Sequence, residues 1–377
     1  MEDKLKKFTI AATALALAAS TISFAPAANA ANVPASAATF GASCAPVGAT
    51  AAGKGADGSA LTCAKETHGS FKGKTIWTYK AWPVLSAAEV IVPNTLTSGF
   101  GKFGVAVADS LKAEGLLKSE PVKTPNKKAT YALSLGDLHA LAGKSGKLGV
   151  TGFAEATGVL QTTTTNTVSK GVPAARMMTA AEAIAVKSNS PYKTLDQLLT
   201  ALKAGPKSMA IVGGNKGGID HFVASKLFEA ENIAVDQMNY VPTKSTVAGD
   251  LLSLANYAFG ISDIADFNKY VESGDLRILA ISTPNKVAGV NAPTMKAAGV
   301  NLVVQNWRGI MLPPSTPKAA QNLVIRALDV AKNSETFKTY LANEMGTESY
   351  LPGSKWGSFL KSEEDKLRVL LKNAGLL

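Results

Sequence analysis

From about residue 87 the chain alternates short apolar runs with helix-like segments, and no other feature limits its possible folds as strongly. "EVIVP" at 89–93 reads as a strand, and "FGVAVADSLKAEG" at 103–115 reads as a helix stopped by glycine. "LGVTGF" reads as a second strand, and "AEAIAVK" closes a third. "YKTLDQLLTALKAG" sets Leu195, Leu198, Leu199 and Leu202 on one helical face, with Gly205 as its stop. "SMAIVGG" is a strand running into glycines, and "IDHFVASKLFEAENI" is the helix beyond them. "DQMNYVP", "YAFGIS" and "LRILAIS" read as further strands. "SDIADFNKYVESG" is a helix between the last two, with Ser262 as its cap and Gly274 as its end. Strands alternating with helices of this length predict βαβ units on a mainly parallel sheet, an α/β fold.

The C-terminal part changes character. "TPKAAQNLVIRALDVAKNSETFKTYLANEMG" reads as two successive helices, the first opened by Thr316-Pro317. The final "GSKWGSFLKSEEDKLRVLLKNAGLL" is a long amphipathic helix whose Leu360, Leu367, Leu370 and Leu371 read as core packing. "NKVAGVNAPTMKAAGVNL" lacks periodicity and reads as a winding connection.

At the other end, "MEDKLKKF" is followed by the apolar, small-residue stretch "TIAATALALAASTISFAPAANA". A basic start, an apolar stretch and an Ala-Asn-Ala ending describe a secretory signal peptide, residues 1–30, cut near Ala30. A membrane anchor is the alternative on length alone, but Pro26 and the alanine-rich ending favour cleavage. Removing 30 residues from 377 leaves 347, enough for two domains with cores of their own. The formal charge of +11 falls to +10, because the leader carries three lysines and two acids. The lysines are scattered, with no arginine cluster or aromatic-basic stripe, so no nucleic-acid partner is expected.

Two cysteines occur, Cys44 and Cys63. In an exported chain a disulfide between them is the default. The loop between them is rich in glycine and alanine, and "GSFKGKTIWTYKAWP" follows with Trp77, Tyr79 and Trp82 for a small hairpin. Residues 31–86 are thus expected to form a small disulfide-containing module and linker, a surface appendage without chemistry. No metal is expected, since His68 alone does not complete a ligand set with the cysteines.

The glycines of "AIVGGNKGGIDHF", at 210–222, pose the functional question. They make room for a nucleotide phosphate, for a smaller anion, or for nothing but a tight turn. A dinucleotide fingerprint needs G-x-G-x-x-G, and the spacing here is G-G-x-x-G-G. A P-loop needs Lys and Ser or Thr after its last glycine, and neither follows Gly218. Unpaired N–H groups at a helix N-terminus, with glycines allowing close approach, suit a carboxylate. Asn215 and Lys216 add an amide and a cation. A purely structural turn remains the competing explanation.

The order of motifs resembles a known family. "SPYKTLDQLLTALKAGP", "GGNKGGIDHFVASKLFEAENI", "MNYVPTKSTVAGDLLSLANYAFGISDIADFNKYVESGDLRILAIST" and "NAPTMKAAGVNLVVQNWRGIMLPPSTP" are similar to the substrate-binding proteins of tripartite tricarboxylate transporters. The stretch around Asn306-Trp307-Arg308-Gly309 is the most specific. The resemblance implies a two-domain periplasmic-binding-protein-like fold with a ligand cleft between the domains. It places residues 87–187 and 307–377 in the first domain and 188–306 in the second. The family's first binding loop, P-x-x-P-G-G-x-x-D-x-x-A-R, corresponds to "VPNTLTSGFGKFGVAVADSL", where Thr97, Ser98 and Gly99 fall on the glycine-rich part. Gly101 stands at the family aspartate and Val105 at the arginine, and "TPNKKATYALS" has lost the glycines of the next loop. The G-S-G-G loop survives as residues 213–218, and a third loop carries Thr243, Lys244, Ser245 and Thr246.

Ligand-binding candidates are therefore Thr97, Ser98, Gly99, Thr151, Gly214, Asn215, Lys216, Gly217, Lys244 and Ser245. His68, His139 and His221 sit in no catalytic pattern, and no G-x-S-x-G elbow or H-E-x-x-H is present. His221 reads as packing near the glycine turn, Trp307 as a core or hinge anchor, and Phe153 as a residue at the cleft edge. Arg308 either pairs with a buried carboxylate or holds the interdomain crossing. Asp263 reads as a charge at a helix N-terminus. No catalytic residue and no cofactor is expected. The resemblance implies an extracytoplasmic receptor that takes a small organic acid and hands it to integral membrane subunits of a secondary transporter. An extracellular sensor feeding a signalling partner is the alternative. A mono-acid, an aromatic acid or an uncharged solute stays open, given the altered first-domain loops.

Overall fold

The computed structural model describes residues 31–93, 95–96, 98–118, 122–125, 138–139 and 146–377. The leader proposed at residues 1–30 and the candidate Thr97 lie outside them. Among the described residues no helix is long and apolar enough to cross a membrane.

The N-terminal module is a three-stranded antiparallel sheet, β1 (Thr50–Ala51), β2 (Leu61–Lys65) and β3 (Thr75–Tyr79). Cys44 and Cys63 are disulfide-bonded, as expected. The module is more than a stapled appendage. Phe40, Phe71, Trp77 and Tyr79 are buried in a core continuous with the main body. Tyr79 donates to Asp329 at 2.6 Å, the Ser70 backbone N–H and hydroxyl donate to Glu114 at 2.9 and 2.8 Å, and the Trp82 indole donates to the Glu114 carbonyl at 3.1 Å.

The main sheet has ten strands and is organised around β7 (Val172–Lys187), sixteen residues long. One arm holds β4 (Glu89–Val92), β5 (Val122–Pro125) and β6 (Lys147–Gly152), with β4 parallel to both neighbours. The other arm holds β8 (Ala210–Gly213), β9 (Tyr240–Pro242) and β10 (Tyr257–Asp263), with β8 parallel to both neighbours. These arms are the expected parallel units, apolar strands such as Val90, Val92, Ile211 and Val212 buried beneath helices. The centre is not parallel. β12 (Gln305–Leu312), β13 (Thr347–Pro352), β10 and β11 (Leu276–Ile281) all pair antiparallel with β7. The sheet is mixed because both halves of the chain return to one shared strand. Residues 172–181 of β7 pair with β12, and residues 182–187 pair with β10 and β11.

Helices follow the strands. α1 is Gly99–Ala113, α2 Phe153–Leu160, α3 Leu195–Ala204, α4 Ile219–Ala230, α5 Val247–Ser253 and α6 Ile264–Glu272. Thr194 caps α3 by accepting from the Gln197 N–H, and the four leucines expected on its inner face are buried. The C-terminal part gives α7 (Lys318–Ala331), α8 (Glu335–Asn343) and the long α9 (Gly353–Asn373), whose four expected leucines are also buried. Between β11 and β12 the chain winds without a strand, apart from one bridge from Ile281 to Thr294.

Candidate functional site

The candidate site lies where α2, which follows β6 directly, faces the turn after β8. β8 delivers the chain to the turn at 214–218, and α4 leaves it. A cavity of about 400 Å³ separates this turn from α2, with Asn215, Lys216 and Gly217 on one wall and Thr157 and Gln161 on the other. Gly217 has φ +79°, and a Cβ there would run into the Gln161 amide. Both the backbone conformation and the approach of the opposite wall therefore call for glycine.

Several donors of the turn are already engaged. The Gly214 N–H donates to Asp220 Oδ2 at 2.6 Å, the Gly217 N–H to His221 Nδ1 at 3.2 Å, and the Gly218 N–H to the Asn215 carbonyl at 2.9 Å. Tyr240 donates its hydroxyl proton to the Gly214 carbonyl at 2.9 Å. His221 thus acts as a neutral acceptor with its proton on Nε2. Burial, reinforced by the Lys216 charge, pushes its pKa down to about 4. Lys216 forms no ion pair among the described residues, and it lines the cavity with Asn215. The structural explanation of the glycines is visible in the engaged N–H groups and in the positive φ of Gly217.

Beside the cavity stands a group of carboxyls and one guanidinium. Glu182, on β7, is fully buried. Asn306, on β12, donates to Glu182 Oε1 at 3.3 Å and to Asp263 Oδ1 at 3.2 Å. Arg308, two residues along, donates to Asp263 Oδ2 and to the Tyr340 hydroxyl, both at 3.2 Å. Arg308 also passes under the start of α1, where a Cβ on Gly99 would sit 2.8 Å from its Nη2. Of the alternatives for Arg308, the structure shows a carboxylate partner contributed by the end of β10. Burial, with Asp263 and Asp220 nearby, pushes the Glu182 carboxyl well above the usual range. Burial likewise lifts Asp220 to about 7, against the pull of the Gly214 N–H.

The remaining candidates are placed apart. Ser98 caps α1, accepting from the Gly101 N–H at 3.1 Å and donating to the Thr95 carbonyl at 2.6 Å. Thr151 is buried at the end of β6, beside Glu155, which burial lifts to about 8. The Thr243 hydroxyl, the Lys244 N–H and the Ser245 hydroxyl all donate to Asp250, at 2.7, 3.0 and 3.0 Å. Lys244 and Ser245 therefore organise the entry to α5, and neither lines the cavity. Phe153 is buried against Phe222 and Trp307. Sequence reasoning missed Glu182, Asn306, Gln161 and Thr157. A lone glutamate inside the apolar run "TAAEAIAV" was the available signal for the first.

The carboxyls make stability pH-dependent. Folded Asp220 holds its proton to about pH 7, whereas an unfolded aspartate releases it near about pH 4. Between those values the folded state binds more protons, so stability falls as pH rises from about 4 to about 7 and then levels off for this group. One such proton gives a slope of up to about 1.4 kcal/mol per pH unit. Asp220→Asn keeps an oxygen for the Gly214 N–H and is expected to flatten the slope. Urea denaturation across that range measures it, and an unchanged slope contradicts the assignment.

Known proteins share this fold. A family model described as tripartite tricarboxylate transporter family receptor matches residues 160–376. A UPF0065 protein encoded in a gbd 5′ region of Cupriavidus necator is 23% identical over 197 residues, 51% of this chain and 58% of that protein. The chain thus spans less than two thirds of that relative's length. A TctC solute-binding protein from Polaromonas has the same fold at TM-score 0.65 and 20% identity, over 78% of this chain and 99% of that one. MatC from Rhodopseudomonas palustris, solved with bound malate, matches at TM-score 0.59 and 14% identity, over 78% and 99% of the two chains. At these identities the solved structures establish the fold, that of periplasmic binding proteins.

Proposed function

This chain belongs to the tripartite tricarboxylate transporter receptor family, and from that premise we propose that it captures a small organic acid outside the cytoplasm and delivers it to integral membrane subunits of a secondary transporter. The observation that carries the proposal is the cavity between α2 and the turn at 214–218, with the Lys216 ammonium free of an ion pair among the described residues. An ammonium beside a glycine turn suits a carboxylate, and the opposite wall adds the Gln161 amide and the Thr157 hydroxyl. The malate held by the Rhodopseudomonas relative is consistent with a solute of that size and charge.

Residues 87–187 and 307–377 form one domain in this reading, 188–306 form the other, and the solute sits between them. Binding needs no reaction, so the chain acts as a receptor and not as an enzyme. Closure of the two halves around the solute is what the membrane subunits recognise. The chain reaches its compartment by loss of the leader near Ala30.

A thermal-shift screen over mono-, di- and tricarboxylates, aromatic acids and neutral metabolites tests the proposal. A ligand that binds only the folded state adds about 2.7 kcal/mol at a hundredfold excess over its Kd, and the melting temperature rises accordingly. At least one carboxylate is expected to do this. Lys216→Ala is expected to cost that ligand about 2 kcal/mol, by calorimetry, while leaving the unliganded melting temperature unchanged. Stabilisation by neutral metabolites alone, or full affinity in Lys216→Ala, argues against the assignment.

A further inference from the structure

A second cavity, of about 540 Å³, shares no lining residue with the first. Its walls are α4 on one side and α9 on the other, and its floor is the chain at 301–307 returning toward β12. Its character differs from the first. Phe153, Phe222, Trp307 and Phe359 give it aromatic walls, with Phe153 and Phe222 edge to face at 5.0 Å and Trp307 and Phe359 perpendicular at 5.8 Å. Trp307 is 1% exposed, and its indole N–H has no acceptor among the described residues. The N–H is closed off from the open space of the cavity, so the face Trp307 contributes is apolar. The charges at the rim cancel. Lys226 pairs with Glu229 at 2.6 Å, and Lys366 with Glu363 at 2.8 Å.

We propose that this cavity is a second ligand site, separate from the solute cleft, for a neutral, flat, apolar molecule. The size is that of an ordinary small-molecule pocket. Aromatic walls favour a planar ring system. The internally paired rim offers no unpaired cation to an anion, so a charged analogue loses more in desolvation than it recovers.

The test uses the full chain with its tryptophan indoles labelled with ¹⁵N. Trp77, Trp82, Trp307 and Trp356 give four signals, and Trp307→Phe assigns the one in question. The probe is 2-acetylnaphthalene, a two-ring aryl ketone. The Trp307 indole signal is expected to shift saturably, with a midpoint at about 1 mM or tighter for a ligand of this size. Ala230→Phe, which fills the cavity from the last turn of α4, is expected to weaken binding at least about tenfold. Val303→Phe, on the exposed rim, carries the same expectation should Ala230→Phe fail to fold. 2-Naphthoate, with the same rings and a charge, is expected to bind at least about fivefold more weakly. Lys216→Ala is expected to leave the probe's midpoint unchanged, which separates this site from the cleft. A Trp307 signal that does not shift saturably, a midpoint unmoved by the filling variant that folds, or equal binding of 2-naphthoate overturns the proposal.

Discussion

Arg308→Met is expected to destabilise the protein by about 3 kcal/mol at neutral pH, a cost typical of removing one partner from a buried ion pair. Methionine keeps much of the side-chain volume, so the loss reports charge and hydrogen bonding more than packing. The Arg308 side chain is 7% exposed and that of Asp263 is 29% exposed, which sets the figure at the low end of the buried-pair range. What remains after the substitution is the Asp263 carboxylate, still accepting from Asn306, with Asp220 and with Glu182, whose carboxyl pKa burial holds well above the usual range, beside it. Removing the guanidinium leaves Asp263 without its cation, and ionisation of Asp220 near pH 7 adds repulsion to it. Protonation relieves it, so the cost is expected to be largest above about pH 7 and to shrink toward pH 5. Tyr340→Phe removes only the neutral partner of Arg308 and is expected to cost about 1 kcal/mol, with little dependence on pH. Urea denaturation of the three proteins at pH 5 and pH 7.5 is the measurement. A loss below about 1 kcal/mol for Arg308→Met, or one that ignores pH, contradicts the picture of a cation holding acids in place.

Deleting residues 31–86 is expected to lower stability by about 4 kcal/mol or more, counting roughly 1 kcal/mol for each contact the module makes with the main body. Those contacts are Tyr79 with Asp329, Ser70 with Glu114, Trp82 with the Glu114 carbonyl, and Asp57 with Arg326 at 3.1 Å. Apolar surface of the shared core adds to the cost. For a chain of this size the melting temperature is expected to fall by about 10 °C. Solute affinity, measured well below that temperature, is expected to stay within about threefold, because no residue of the module lines the cavity beside the glycine turn. Tyr79→Phe is the graded version, leaving Asp329 without its donor at a cost of about 1 to 3 kcal/mol. A truncated chain as stable as the full one returns the module to the status of a spacer.

Much of this arrangement was legible in the chain. Local signals gave the helices with an apolar face that end at glycine, such as α3 with its four leucines before Gly205. The two parallel arms followed from alternating strands and helices, and the disulfide from two cysteines in a chain whose sequence reads as exported. The antiparallel centre was hidden because β7 is nearly all buried, so its first ten residues show neither helical nor strand periodicity. The acid group was hidden for another reason. Glu182, Asp220 and Asp263 are brought together by pairing of distant segments, and nothing local to any of them marks the other two. The engaged donors at Gly214 and Gly217 were equally out of reach. A glycine run announces that backbone can approach something, and only the folded turn shows that the partners include Asp220 and His221.

The central claim is that a small acid binds between α2 and the turn at 214–218. A crystal structure with the tightest carboxylate from the screen tests it most directly. The account predicts a solute carboxylate within hydrogen-bond distance of Lys216 or Asn215, with the Gln161 side chain facing it from the other wall. A solute bound elsewhere, with no atom of residues 214–218 within that distance, contradicts it.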